Sequence, residues 1–565
     1  MRSLLATLAL LSVATLATAQ SMQQPSYDYI LANGRVIDGT GAAWYVADVG
    51  IRGDKIAAMG DLHAAQTAHR IDASTLVVAP GFIDVQGQSE FNLLADNRAA
   101  SKITQGVTTE ITGEGQAIAP LNSAMVEEMA PQAQKFGVNI DWRDLAGYLT
   151  HLERVHPAIN LGTFVGAGGV RAYVIGREDQ KATPAQLEQM KQVVATAMQQ
   201  GAFGLSSALQ YVPDQFATTD ELVELAKVAK QYGGVYFTHQ RSESGRIFPS
   251  LDEVFAISER ANIPATVWHL KTAYAPNFGK MPEVLRRIEA ARARGINVAA
   301  SVYPYSRASN GLPACFPAWV QAGSTDAMLA RLKDPAQRER AKREMGEPST
   351  TWENEWLGSG GGKGIQIVQV LNPELKKYEG KTIEEIAEQE HKDPRDVAID
   401  VTIADRGNTQ IVIAIMDEAD VKLAVSDPLV CYGADSPGIA EDGPLSKSKA
   451  HPRAFGTFPR VLAKYVRDEH TMSMEEAVRK MTSLAASRVG IMDRGLLRPG
   501  MYADITIFDP ATIQDIADYN DSMRYSVGVK DVFVNGRPVV LDGKITDERP
   551  GRALRGPGYS EAVAK

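Results

Sequence analysis

Apolar and polar positions in this chain follow two regimes. Near the start, short apolar runs alternate with turn residues over residues 27–60. Ile30-Leu31-Ala32 runs into Asn33-Gly34, a hairpin turn pair, and Val49-Gly50-Ile51 and Lys55-Ile56-Ala57-Ala58 flank a second turn at Gly53-Asp54. The same regime returns near the end. Residues 503–508 precede Asp509-Pro510, and Val532-Phe533-Val534 runs into Asn535-Gly536. Strand-rich ends around a long middle predict a small β-sandwich built from both terminal segments, residues 20–78 and 488–565.

Between them, residues 79–487 alternate strand and helix. Thr183-Pro184 with Gln186 three residues after the cap, and Thr218 with Glu221, are capping-box signatures opening two helices. The second runs through residues 222–232, stops at Gly233-Gly234 and gives way to a strand at 235–238. Strands at 265–268 and 297–302 follow helices at 251–261 and 281–294. Repeated β-then-α units over this length predict a TIM (β/α)8 barrel. Residues 326–428 break the rhythm and read as an insertion, either a lid or a surface excursion. Its Gly-rich stretch, 358–364, reads as a mobile loop.

Composition narrows the picture. The 565 residues exceed one simple core, and the 44% hydrophobic and 22% charged content is that of a soluble globular protein. The net charge of -9 carries no block of basic residues, which excludes nucleic acid as the partner. Arg2, an apolar run at 4–16 and Ala17-Thr18-Ala19 predict a signal peptide over residues 1–19, cleaved before Gln20 and directing the protein to the periplasm or outside the cell. No later stretch is long and apolar enough to span a bilayer. The two cysteines, Cys315 and Cys431, make no disulfide framework and read either as a pair or as two buried thiols.

The candidate chemistry lies where polar residues follow predicted strands. Glu114, His239, His269 and Asp435 all stand there, and in a TIM barrel those positions share one mouth. Two imidazoles with carboxylates suit Zn²⁺ or a similar divalent ion. Arg241, Glu243, Lys271, Tyr303, Tyr305 and Arg453 lie nearby. Singly each reads as a salt bridge or a packed ring; together they suit an anionic substrate such as a carboxylate.

These motifs resemble the amidohydrolase superfamily, and within it the D-aminoacylase (N-acyl-D-amino-acid deacylase) family. The resemblance rests on residues 32–41, Ala79-Pro80-Gly81-Phe82-Ile83-Asp84, Thr238-His239, Trp268-His269-Leu270-Lys271, Val302-Tyr303-Pro304-Tyr305, Gly433-Ala434-Asp435, His451-Pro452-Arg453, residues 456–460 and residues 494–500, in that order. It implies that His239 and His269 hold a metal. It implies that Asp435 takes a proton from the attacking water and returns it to the leaving amine. Lys271, Tyr303, Ser309 and Arg453 match substrate-holding positions, with Arg453 on the amino-acid carboxylate, and Tyr211 matches the tyrosine that polarises the scissile carbonyl; Arg241 joins the expected substrate-binding set by its place two residues after His239.

The chain departs from the family twice. Where the superfamily has His-x-His after the first barrel strand, it has Gln86-Gly87-Gln88, and none of its nine histidines supplies a substitute. Where D-aminoacylases carry a Cys ligand, it has Gly113-Glu114-Gly115, and a carboxylate can take that place. The resemblance therefore implies one divalent metal, zinc or similar, on Glu114, His239 and His269, and a small N-acyl amino acid as substrate. A dipeptidase or cyclic-amide hydrolase of the same superfamily, and a degenerate barrel that binds without turnover, are the competing readings.

Overall fold

The computed structural model describes residues 26–447 and 449–564. The expected signal peptide, residues 1–19, lies outside the described residues. Among the described residues no helix is long and apolar enough to cross a membrane.

The middle of the chain is an eight-stranded parallel barrel. Its strands are Phe82–Asp84, Val107–Thr112, Asn160–Thr163 continued by Val165–Gly166, Gly204–Ala208, Val235–His239, Ala265–Val267, Val298–Val302 and Val430–Tyr432. Each pairs in parallel with the next, and the ring closes where Asp435 N–H donates to Gln86 O at 2.7 Å. All these strand residues are buried, including polar ones such as Thr109, Glu110, Asn160 and Ser207, because helices and the barrel interior cover both faces. Phe164, Phe237 and Trp268 stack in the barrel core with ring centroids 4.8 and 5.4 Å apart, and the Trp268 indole N–H donates to Val85 O at 3.0 Å. This packed aromatic layer is a rigid base for His239 and His269, which follow two of its members in sequence.

Helix starts obey the caps, with one difference. Pro184–Gln200 opens on the full Thr183/Gln186 box and ends at Gly201, φ 118°. Thr219–Gln231 has half of its expected box: Thr218 accepts from Glu221 N–H, but the Glu221 carboxylate turns to Arg171 at 2.9 Å. The Arg171 guanidinium is fully buried and needs that carboxylate more than the exposed cap does.

Both ends of the chain join in one nine-stranded sheet, in which Val77–Pro80 pairs antiparallel with Ile505–Phe508. Asn535-Gly536 makes the expected hairpin turn between Val529–Val534 and Arg537–Leu541. Asn33-Gly34 does not. It is a bulge within the single strand Tyr27–Val36, where Asn33 (φ 59°) donates its N–H to Asp48 and a Cβ on Gly34 would lie 2.4 Å from Val78.

The irregular region also differs from expectation. The excursion starts earlier, with a three-stranded antiparallel sheet of Arg307–Gly311, Gln410–Ala414 and Ile365–Gln369 over its own apolar core. It also ends earlier, because helix Glu418–Ser426 packs on barrel helix Met281–Ala293. The Gly-rich stretch is packed, not loose: a Cβ on Gly358 would meet the Tyr274 ring at 2.6 Å, and one on Gly364 would meet Ser359 O at 1.9 Å. Cys315 and Cys431 are free and buried.

Candidate metal centre

Glu114, His239 and His269 converge at the barrel mouth, with one ligand atom from each lying within 4.8 Å of the others. Glu114 follows the second strand through Gly113 (φ 96°), where a Cβ would lie 2.8 Å from Phe164 O. His239 ends the fifth strand. His269 sits beyond the sixth in a left-handed conformation, φ 34°, as does Asp435 beyond the eighth, φ 47°. Non-glycine residues in this conformation cost energy and gather where function fixes them.

His239 Nδ1 and His269 Nε2 lie 3.2 and 3.3 Å from the same Glu114 Oε1. A tetrahedral ion with bonds of about 2.0–2.1 Å sets its ligands about 3.3 Å apart, so these two contacts have the spacing of a zinc-type site. The outer nitrogens are held as in such sites: His239 Nε2 by Gln210 Oε1 at 2.9 Å, and His269 Nδ1 by Glu243 Oε1 at 2.9 Å. Lys271 Nζ lies 2.6 Å from both Glu243 Oε1 and His269 Nδ1. Burial pushes the Glu114 carboxyl up, but hydrogen bonds to His239 and His269 outweigh it and hold Glu114 well below the usual carboxylate range.

Gln86 and Gln88, expected at the place of the family's His-x-His, both reach the Glu114 carboxylate. Gln86 Nε2 and Gln88 Nε2 donate to the other Glu114 oxygen, Oε2, at 2.8 and 3.0 Å. Gln88 Nε2 also lies 3.5 Å from Asp435 Oδ1. A carboxylate accepts only, so the Nε2 ends must face it. Beneath them a buried cluster fixes the loop: Lys102 Nζ donates to Asp84 at 2.6 Å and to Ser436 O at 2.8 Å, while Asp84 Oδ1 accepts from Gln86 N–H and Ala434 N–H.

Arg453, first residue of helix Arg453–Arg460, lies 3.0 Å from Asp435 Oδ2 and stacks 4.6 Å over the Tyr303 ring. Its Nε and the Tyr303 hydroxyl are buried without a hydrogen-bond partner among the described residues. Burial raises the Asp435 carboxyl, and Arg453 opposes that shift. Tyr211 stacks edge-on against His239 at 4.8 Å, its hydroxyl accepting from Asn310 Nδ2 at 2.9 Å. Burial holds the phenol well above its ordinary value, hence protonated. Ser309, on the first insertion strand, gives its hydroxyl proton to Ile411 O at 2.9 Å.

These groups line one cavity of about 580 Å³, with barrel residues on one side and insertion residues such as Asn310, Glu353 and Glu355 on the other. Of the expected site residues, Gln86 and Arg241 do not line the cavity, and Arg241 does not touch the cluster either. The Arg241 guanidinium is spent on Glu253 and on the carbonyls of Gln215 and Ala217. Proximity to His239 in sequence was misleading there, because the strand has ended and alternate residues diverge. Gln210 and Glu355 were missed. Gln210 stands just before Tyr211 after the fourth strand, a signal available in the sequence, whereas Glu355 reaches the site from a distant insertion with no local signature.

A family model described as "Amidohydrolase family" matches residues 379–540. The chain is 35% identical over 538 residues to the D-aminoacylase of Alcaligenes xylosoxydans xylosoxydans, covering 95% of this chain and 99% of that one. A solved D-aminoacylase with a binuclear metal centre, described by one-metal activation and second-metal attenuation, superposes with a TM-score of 0.78 at 33% identity, covering 94% and 100% of the two chains. N-acyl-D-glutamate deacylase from Bordetella bronchiseptica, complexed with zinc and a phosphonate mimic of the tetrahedral intermediate, superposes with a TM-score of 0.77 at 30% identity over the same shares. With a full-length relative at this identity, the chain belongs to the amidohydrolase family, in the group of the D-aminoacylases and N-acyl-D-amino-acid deacylases.

Proposed function

We propose that this protein hydrolyses the amide bond of N-acyl-D-amino acids, releasing a carboxylic acid and the free D-amino acid. One divalent cation, zinc or similar, would be held by Glu114, His239 and His269. The observation that carries this reading is the placing of Asp435 between that cluster and Arg453, 3.0 Å from the guanidinium. D-stereochemistry is drawn from the D-aminoacylase and deacylase relatives.

The bound cation would supply Lewis acidity, lowering the pKa of a water toward about 7 and polarising the carbonyl. Arg453 and Tyr303, which both line the cavity, receive the substrate carboxylate. Asp435 accepts the proton of the attacking water as its oxygen bonds to the carbonyl carbon. Tyr211, kept protonated by burial, donates to the carbonyl oxygen as charge builds there. Asp435 then gives its proton to the nitrogen, the C–N bond breaks and the amine leaves. The insertion wall narrows the cavity around the substrate.

A single-metal site is part of the proposal, because Gln86 and Gln88 offer neutral amides where two imidazoles would serve a second ion. Export rests on residues 1–19, and N-terminal sequencing of mature protein should start at Gln20. The decisive test is metal content together with amine release from N-acetyl-D- and N-acetyl-L-amino acids. About one metal per chain with release from the D series supports the reading. No release after addition of Zn²⁺, Mn²⁺ or Co²⁺ overturns it.

A further inference from the structure

His451 stands two residues before Arg453, and it is 2% exposed. Its Nδ1 accepts the Arg453 backbone N–H at 3.0 Å, and its Nε2 lies 2.9 Å from Arg307 O. A backbone N–H only donates and a carbonyl only accepts, so both ends of the ring have fixed roles. Nδ1 carries the lone pair and Nε2 the proton. An imidazolium has no acceptor and would lose the bond to Arg453. Burial holds the ring well below the ordinary histidine range, and the charges of Arg453, Arg307 and Arg460 act in the same direction.

Two distant parts of the chain meet at that ring. Arg453 opens the helix Arg453–Arg460, and Pro452 before it has no side-chain acceptor to offer the helix. Arg307 opens the insertion strand Arg307–Gly311, which is laddered onto Gln410–Ala414. Tyr305 and Tyr519 stand edge-on to the ring, with centroids 5.4 and 5.3 Å away, and fix its orientation. The same strand reaches the other side of the mouth, since the fourth barrel strand stands opposite the eighth. There Asn310 Nδ2 donates to the Tyr211 hydroxyl at 2.9 Å. One insertion strand is thus tied to Arg453 through His451 and to Tyr211 through Asn310.

We propose that His451 is a positioning residue for substrate recognition: it registers Arg453 to the insertion strand and so sets the preference for a substrate with a free carboxylate. The inference rests on the deacylase reading above, in which Arg453 receives that carboxylate. His451 lines the cavity, yet backbone groups engage both of its nitrogens, which leaves neither for a proton transfer or a cation. Its effect on the reaction passes through Arg453. An arm misplaced by about 1 Å costs up to about 100-fold, although the arm itself is intact.

The test measures kcat/KM for an N-acetyl-D-amino acid and for its carboxamide on the metal-loaded enzyme. The acid-to-amide ratio is internal to each variant and so independent of any general loss of activity. In His451→Phe, which removes both bonds, the ratio should fall about 10–100-fold, mainly through KM of the acid. His451→Asn retains an acceptor for Arg453, and His451→Gln retains a donor for Arg307 O. Each should fall between His451→Phe and the wild type, and full recovery in either overturns the tie between the two segments. Should the variants fail to fold, nitrogen NMR of the wild-type ring at about pH 7 should show the neutral Nε2–H tautomer; the other tautomer or an imidazolium overturns the proposal. Equal losses on acid and amide in His451→Phe, or no loss on either, overturn the positioning role and leave the deacylase reading standing. No turnover of any N-acyl-D-amino acid by the wild type overturns both.

Discussion

The amide of Gln86 donates to Glu114 Oε2 at 2.8 Å, on the side of the carboxylate facing away from the two imidazoles. Together with Gln88 it satisfies one oxygen and leaves the other to the imidazoles of His239 and His269. The carboxylate is thereby fixed by two neutral donors. In the single-metal site proposed above, these two neutral amides orient Glu114 with no charge of their own.

The first prediction follows directly. In Gln86→His/Gln88→His, imidazole nitrogens replace the amide donors, and metal per chain should rise from about one to about two by elemental analysis. Gln86→Ala should instead loosen Glu114 and weaken binding of the single metal by about 10–100-fold in a chelator competition. Unchanged affinity in Gln86→Ala would show that the amide does not orient the ligand.

Asp435→Asn keeps the shape and removes the proton acceptor. Turnover should fall by about 10²–10⁴-fold, the usual contribution of a positioned acid–base group. Metal content should stay at the wild-type value, since Asp435 is not in the ligand cluster. A variant that lost its metal in parallel would place Asp435 among the ligands.

Arg453→Lys keeps the charge and removes the planar fork. Because Arg453 faces both Asp435 and the cavity, kcat/KM for carboxylate-bearing substrates should drop about 10–100-fold, by the loss of about 1.5–3 kcal/mol of charged hydrogen bonding. The corresponding substrate amide should be affected far less. Equal losses on acid and amide would assign Arg453 to positioning Asp435 alone.

The barrel was legible where a unit carries local signals, as at Thr183 and Thr218: a cap, a helix stopped at a glycine, then a strand. Thr183-Pro184 and the strand ending in His239 are both read from neighbours within a few residues. Asn33-Gly34 misled because a bulge and a hairpin turn ask the same backbone angles of the same residues, and only the pairing partner Asp48 separates them. Glu114, His239, His269 and Asp435 could be found since barrel geometry brings strand ends together. Glu355 could not, because its approach depends on how the insertion's second core seats against the mouth, a packing relation between residues far apart in the chain.

The last prediction concerns pH and stability at a site beside the cavity. Asp214 is 2% exposed; its Oδ2 accepts from Ala208 N–H at 2.6 Å and its Oδ1 has no partner among the described residues. Burial pushes its carboxyl up to about 7, the Ala208 hydrogen bond opposing only part of that. The unfolded chain would titrate this group near about 3.9. Between those values the folded state binds the extra proton, so folding is favoured by protonation and stability falls as pH rises from about 4 to about 7, by on the order of 4 kcal/mol. Asp214→Asn imitates the protonated form: its amide oxygen can accept from Ala208 and its NH₂ takes the place of Oδ1. The variant should therefore gain on the wild type as pH rises through this window, and the gain should level off above about 7. Urea denaturation of both proteins at pH 5 and pH 8 measures it. A stability difference that stays constant between the two pH values would mean that Asp214 is already ionised in the fold, with Oδ1 satisfied by solvent.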